Sequence, residues 1–197
     1  MKRTLAVLSA AALAFALVSP VPGACAETNT ATTPDPSIAA LLQDAEGGSA
    51  EAQFKLGTCY DGILSAGVPK DHEEAVRWYR KAAEQGHAKA QYSLGDRYYW
   101  GVGVPKDYAE AARWWSKAAE QGVAAAQYNL GNRYDRGEGV TEDKAEAVRW
   151  WSKAAEQGVA EAQYNLGNGY YNGEGVQKDH VEAVRWWSKA AEQGYVS

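Results

Sequence analysis

An all-α solenoid, an α/α superhelix of four stacked helix pairs, is the fold class this sequence predicts, and three observations predict it. A six-residue string recurs at a nearly fixed offset along the chain. Each copy is followed by a glycine-rich turn and then an Asp-capped apolar stripe. A pair of bulky aromatics recurs on that stripe, and a lone helix pair could not bury both.

The string runs Ala90-Gln91-Tyr92-Ser93-Leu94-Gly95, then Ala126 to Gly131 and Ala162 to Gly167, an offset of 36 each time. A first copy, Ala52 to Gly57, lies 38 residues before the second, and the two extra residues fall in the turn Gly62 to Gly67, where insertions do least harm. In the first helix of unit two, Ala90, Gln91, Leu94 and Tyr98 share one face. Gly95 sits at the edge of that face, where a missing side chain lets another helix approach closely. The segment Gly101-Val102-Gly103-Val104-Pro105 ends the helix and turns the chain.

The second helix opens with an Asp N-cap and a Glu three residues later, the pattern of a capping box. It recurs as Asp71/Glu74, Asp107/Glu110, Asp143/Glu146 and Asp179/Glu182. Ala111, Trp114, Trp115, Ala118 and Ala119 form its apolar stripe. Gly86, Gly122, Gly158 and Gly194 follow the last turns, where a left-handed residue is wanted. Trp114 and Trp115 flank the Ala111–Ala118 line. One is expected on the first helix of its own unit and the other on the first helix of the next. At the N-terminal edge, Ser37 to Gly48 aligns with a second helix and reads as a capping helix.

Composition fits one unit copied several times, with 8 Trp and 12 Tyr against 2 Phe and 1 Met. The net charge is −5, and because residues 1–26 carry only Lys2 and Arg3, the remainder carries −7. A mildly acidic body without a basic run argues against nucleic acid or an anionic membrane as ligand. Met1-Lys2-Arg3, an apolar run from Thr4 to Val18, and Ala24-Cys25-Ala26 read as a signal peptide cleaved before Glu27. That run is too short for a bilayer span, so no transmembrane segment is expected in the mature chain. A lipid anchor at Cys25 is disfavoured by Pro22 in its expected recognition site. The resulting organisation is signal peptide 1–26, flexible leader 27–35, N-terminal capping helix 36–48, and repeats 50–87, 88–123, 124–159 and 160–194. The expected compartment is the periplasm or the medium. Cys59 is then the sole cysteine of the mature chain, read as a half-buried free thiol, and the fold must stand without an internal disulfide.

The repeated pattern Ala-x-Ala-Gln-Tyr-x-Leu-Gly, Gly-x-Gly-Val, Lys-Asp, Glu-Ala, Trp-Trp-x-Lys-Ala-Ala-Glu-Gln-Gly resembles the Sel-one-like repeat family, relatives of tetratricopeptide repeats. The resemblance covers residues 50–194. It implies adaptor work, with proteins or peptides bound in assemblies, signalling complexes or host contacts. The family also includes cysteine-rich Helicobacter proteins that carry a β-lactamase or penicillin-binding label. Their cysteine pair in each repeat is absent here.

No catalytic constellation accompanies the repeats. Ser-x-x-Lys, Ser-Asp-Asn and Lys-Thr-Gly are missing, and His72-Glu73-Glu74 lacks the second histidine of a zinc helix. His72 and His180 occupy a position that is Tyr108 and Lys144 in the other units, which reads as exposed. His87 shows no ligand pattern either. The Gly-x-Gly loops follow helices rather than strands and read as turns, not phosphate cradles. The sequence therefore calls for no metal, no nucleotide and no other cofactor, and points away from an enzyme.

What remains is the outer face of the first helices. It carries Tyr92, Asp96, Tyr99 and Trp100 in unit two, Tyr128, Asn132, Asp135 and Arg136 in unit three, and Tyr164, Asn168, Tyr171 and Asn172 in unit four. Phe54, Thr58, Asp61 and Gly62 are their equivalents in unit one. By the resemblance, first helices line the concave surface, so these residues line a groove. Aromatics beside Asn, Asp and Arg suit protein recognition. Two readings of Tyr92, Tyr128 and Tyr164 stand: groove-lining, or packing between neighbouring first helices. The leading expectation is a non-enzymatic scaffold binding a protein or peptide, with a cell-wall glycan as the other ligand and β-lactam hydrolysis as the enzymatic alternative. Trp186 and Trp187, with no following unit, are expected to form a surface for end-to-end self-association, unless Tyr195 and Val196 fold back over them.

Overall fold

The computed structural model describes residues 36–64 and 68–195, so the segments read as signal peptide and leader and the middle of the first turn lie outside the described residues. Among the described residues there are nine helices and no strand: α1 (Pro36–Glu46), α2 (Ala50–Tyr60), α3 (His72–Glu84), α4 (Ala88–Trp100), α5 (Tyr108–Glu120), α6 (Ala124–Arg136), α7 (Lys144–Glu156), α8 (Ala160–Asn172) and α9 (His180–Glu192). Each packs on its neighbours in sequence, so the helix pairs α2–α3, α4–α5, α6–α7 and α8–α9 stack in chain order.

The helix boundaries follow from local chemistry. The carboxylates of Asp71, Asp107, Asp143 and Asp179 accept the amide hydrogens of Glu74, Glu110, Glu146 and Glu182, each at 3.0 Å. The expected reciprocal half of the capping box does not form. The Asp71 N–H instead donates to the Tyr60 carbonyl at 2.8 Å, and those of Asp107, Asp143 and Asp179 donate to Tyr98, Tyr134 and Tyr170. That bond ties the start of each second helix to the end of the first. The Glu side chains, released from capping, pair with Arg77, Arg113, Arg149 and Arg185 one turn on. At the other end, Gly86 has φ +88. Its N–H donates to Ala83 and that of His87 to Ala82, the two bonds of a Schellman motif.

The core is a chain of similar clusters. Ala45 of α1, Ala52 and Leu56 of α2 and Trp78 of α3 form the first. The second joins Ala75, Tyr79, Ala82 and Ala83 of α3 to Ala90 and Leu94 of α4 and Trp114 of α5. Ala111, Trp115 and Ala118 meet Ala126, Leu130 and Trp150 in the third. This corrects the expected direction of the tryptophan pair. The first member reaches back into the cluster built on the preceding second helix. The second member lies on the first helix of its own unit, where Gly95 makes room for it: a Cβ there would stand 2.5 Å from the Trp115 ring. The close approach expected at Gly95 is thus made first by the indole, and at the equivalent Gly131 the backbone of α7 comes close as well, with the Ala147 carbonyl oxygen 3.2 Å from where a Cβ would stand.

A glutamine ladder runs through the same seams. The Gln53, Gln91, Gln127 and Gln163 amides donate to the carbonyls of Ala45, Ala83, Ala119 and Ala155 at 3.0–3.1 Å. Each in turn accepts from Gln85, Gln121, Gln157 or Gln193. These side chains are buried with both amide groups engaged, so they fix register between units without a desolvation penalty. Because Ala45 serves Gln53 as Ala83 serves Gln91, α1 takes the place of a second helix ahead of the first repeat.

The loops lock the stack in the same way. Gly139 has φ +77, and a Cβ on it would lie 2.2 Å from the Tyr108 carbonyl oxygen. The second glycine of the Gly-x-Gly turn therefore lets the loop rest on the start of the preceding second helix.

At α9 the outer side is uncovered among the described residues. Val184 is 57% exposed, whereas its equivalent Val148 is 8% exposed. Trp186 packs against the α7–α8 cluster and Trp187 against Gly167. Val181 and Val184 are exposed on this face, and Trp186 and Trp187 are only partly buried where their equivalents in the preceding units are buried. The Tyr195 ring lies 5.5 Å from that of Tyr164 on α8, and Val196 lies outside the described residues.

Candidate interaction surface

The first helices α4, α6 and α8 present two adjoining clefts. The first, about 370 Å³, lies between α4 and α6 and is lined by Tyr92, Asp96, Tyr99, Trp100, Asn132 and Arg136, all expected, together with Trp115, Asn129 and Arg133. The second, about 250 Å³, lies between α6 and α8. Asn132, Asp135, Arg136, Asn168 and Asn172 line it as expected, and Lys144, Asn165, Gly169 and Glu174 join them. Asn129 and Asn165 were legible in principle, since each stands three residues before Asn132 or Asn168 on the same helix face.

Three expected residues line neither cleft. Tyr128 packs half-buried against the α7–α8 cluster, which favours the packing reading for that position. Tyr164 meets Tyr195, and Tyr171 lies exposed with its ring 5.4 Å from Trp187. Tyr92 does both jobs, lining the first cleft while packing on the α5–α6 cluster.

The walls are held by one repeated hydrogen bond. The Trp151 indole N–H donates to Asn132 at 3.0 Å and that of Trp187 to Asn168 at 3.2 Å. In unit two the acceptor is a carboxylate, Asp96, at 3.1 Å from the Trp115 indole nitrogen. Burial pushes this carboxyl up to about 6, with hydrogen bonds from Trp115 and Tyr92 and the nearby Arg97 charge pulling against it. Tyr92 is pushed up to about 12 by burial and by Asp96. The folded state therefore favours protonated Asp96, and this contribution is lost as pH rises through about 6. Asp96→Asn, which copies units three and four, is expected to raise stability at pH 7.5 by roughly 2 kcal/mol. The gain should shrink towards zero by pH 4, and thermal melts at the two pH values check it.

Three residues of unit one depart from expectation: Asp61, His72 and Cys59. Asp61 is buried and accepts from His72 Nδ1 at 2.9 Å and the Tyr79 hydroxyl at 3.2 Å, and it pairs with Arg97 at 3.0 Å. It sits inside the stack rather than on a groove. His72 is accordingly bonded and only partly exposed, while His180 is exposed as expected. Cys59 is buried, not half-buried, with 3% of its surface accessible. Burial raises its thiol pKa, which lowers its reactivity at neutral pH. Among the described residues, no group of three metal-ligating side chains gathers anywhere. No described helix is long and apolar enough to cross a membrane.

Comparison with known proteins agrees with this architecture. No curated protein matches the chain. Among solved structures, c5321 from uropathogenic Escherichia coli, a protective antigen displaying an SLR fold, is 49% identical with a TM-score of 0.75 over 80% of this chain and 33% of that one. A Sel1 repeat protein from Oxalobacter formigenes is 41% identical with a TM-score of 0.72, over 79% of this chain and 63% of that one. Helicobacter pylori cysteine rich protein B is 27% identical with a TM-score of 0.50, over 67% of this chain and 95% of that one. The chain thus spans a third of the length of the first relative and under two thirds of the second. The Sel1 repeat model matches residues 50–87, 88–123, 124–159 and 160–195. Repeats of this kind generally mediate protein–protein interaction, and the chain belongs to the Sel1 repeat family.

Proposed function

We propose that this chain is an exported, non-enzymatic scaffold whose first-helix face binds a protein or peptide partner. The observation that carries the reading is the pair of adjoining clefts on α4, α6 and α8. They combine an exposed aromatic, Trp100 at 68% accessibility, with a row of asparagine amides and Arg136. Such a surface offers apolar area together with hydrogen-bond donors and acceptors suited to a polypeptide. Arg136 makes no ion pair among the described residues, which leaves its guanidinium available to a partner carboxylate. The protective antigen c5321 shares this repeat at 49% identity. The export reading itself rests on residues 1–26. Amino-terminal sequencing of the exported protein tests it, with Glu27 as the expected first residue.

The binding reading predicts that Trp100→Ala and Arg136→Ala each weaken partner capture by about 2 kcal/mol while the far-ultraviolet dichroism is unchanged. Capture that survives both changes and is abolished by Lys117→Glu on the second-helix face would contradict it. Trp100 and Tyr171 beside asparagines also suit a glycan. Retention on peptidoglycan that is lost with Trp100→Ala, with no protein retained, would replace the protein reading by that one.

A further inference from the structure

The seams between neighbouring first helices repeat one arrangement with different residues. At the first seam Asp61 faces Arg97 of the next unit, and the guanidinium pairs with the carboxylate at 3.0 Å. The second seam puts Tyr99 in the place of Asp61 and Arg133 in the place of Arg97. That guanidinium lies 4.6 Å from the Tyr99 ring centre and pairs with Glu138 of the following turn. At the third seam the equivalents are Asp135 and Gly169, and Glu174 takes the place of Glu138. Here the chain supplies no guanidinium, and the second cleft opens at this point, with Asp135, Gly169 and Glu174 in its wall.

The two carboxylates at that seam differ in their engagement. Asp135 accepts from Lys144 through one oxygen at 3.0 Å. Glu174 has no ion-pair partner among the described residues. A Cβ on Gly169 would come no nearer than 3.2 Å to the Val148 methyl and 3.5 Å to the Glu174 carbonyl oxygen, so a side chain fits there with a small shift. The acceptors that take an arginine from within the chain at two seams are therefore present at the third, facing a cleft of about 250 Å³.

We propose that the second cleft is a binding site for the guanidinium of an arginine side chain on the partner polypeptide. The proposal rests on the reading that the first-helix face binds a polypeptide, and it adds which side chain that polypeptide must present. The ligand guanidinium takes the place that Arg97 and Arg133 hold at the other seams. It bonds Glu174 and the free oxygen of Asp135, and the amide oxygens of the cleft asparagines serve its remaining N–H groups. A planar fork of donors can bridge two acceptors, whereas a lysine ammonium is a point charge on a flexible stem. The cations already at the cleft are Lys144, held by Asp135 and Glu142, and Arg136, which is exposed.

The test uses the full chain and N-acetyl-arginine amide as probe, followed by nuclear magnetic resonance of the Asn168 and Asn172 side-chain amides and the Trp151 indole. The expected result is a saturable shift, about tenfold weaker in affinity with the uncharged isostere N-acetyl-citrulline amide. Gly169→Arg, which fills the seam from within, is expected to abolish the shift and to keep or raise the melting temperature. Glu174→Gln, at an exposed turn residue, is expected to weaken binding about tenfold and serves as the deciding variant if Gly169→Arg does not fold. Equal binding of the citrulline probe, or undiminished binding by folded Gly169→Arg or by Glu174→Gln, overturns the arginine site. Loss of partner capture with Trp100→Ala but not with Gly169→Arg would overturn this site while leaving the protein-binding reading in place.

Discussion

Trp115→Ala is expected to destabilise the stack by about 3–5 kcal/mol, the range for emptying a buried aromatic site. Trp115 is 1% exposed, and its indole lies directly on Gly95, so no neighbouring side chain stands where the ring would be lost. The change also strips Asp96 of its indole donor and leaves a carboxyl, already raised by burial, with fewer partners. In a stack each unit is held by its neighbours, so losing one seam should weaken coupling across the whole array. Chemical denaturation followed by dichroism at 222 nm should show a lower midpoint, and a broader or split transition where the two halves uncouple. Trp186→Ala should cost less, because its site is covered on one side only.

Arg97→Ala should cost a similar amount, about 3 kcal/mol or more, for a different reason. Asp61 has 2% of its side chain exposed, and Arg97 is its permanent cation. Removing the arginine strands a buried carboxylate, and the desolvation cost of that charge is then unpaid by any pairing energy. Tyr79 and His72 remain as donors and offset part of it. A second change distinguishes this from lost packing: in the Arg97→Ala background, Asp61→Asn should recover stability, since the amide needs no counter-charge. Denaturation midpoints of the two single variants and the double variant form the cycle, and a purely additive result would assign the loss to packing.

These two sites also show what can be read from a sequence of this kind. The offset of 36, the Asp caps and the glycines after each second helix are local signals, and the nine helices follow them closely. Gly95 and Trp115 were both visible as residues of interest because they repeat. The direction in which the first tryptophan packs was not visible. A helical wheel places Trp114 and Trp115 on opposite flanks of one stripe, and it does not say which flank faces the preceding unit. The Asp61–Arg97 pair was hidden for another reason. Its members are 36 residues apart, and the same seam uses Tyr99–Arg133 in the next unit and Asp135–Gly169 after that. Repetition reveals what is conserved between units, and these seams are where the units differ. The candidate surface was legible as a helix face, since most of the residues assigned to it in units two and three do line the clefts. Tyr128 was assigned by analogy of position, and packing on α7 claims it instead.

Site-specific crosslinking in the native cell tests whether the first-helix face is the binding surface. A photoreactive residue replaces Trp100 in one variant and Lys117, on the second-helix face, in another. The Trp100 position is expected to trap a discrete protein partner on illumination, and the Lys117 position is not. Trapping from Lys117 with none from Trp100 would contradict that surface assignment.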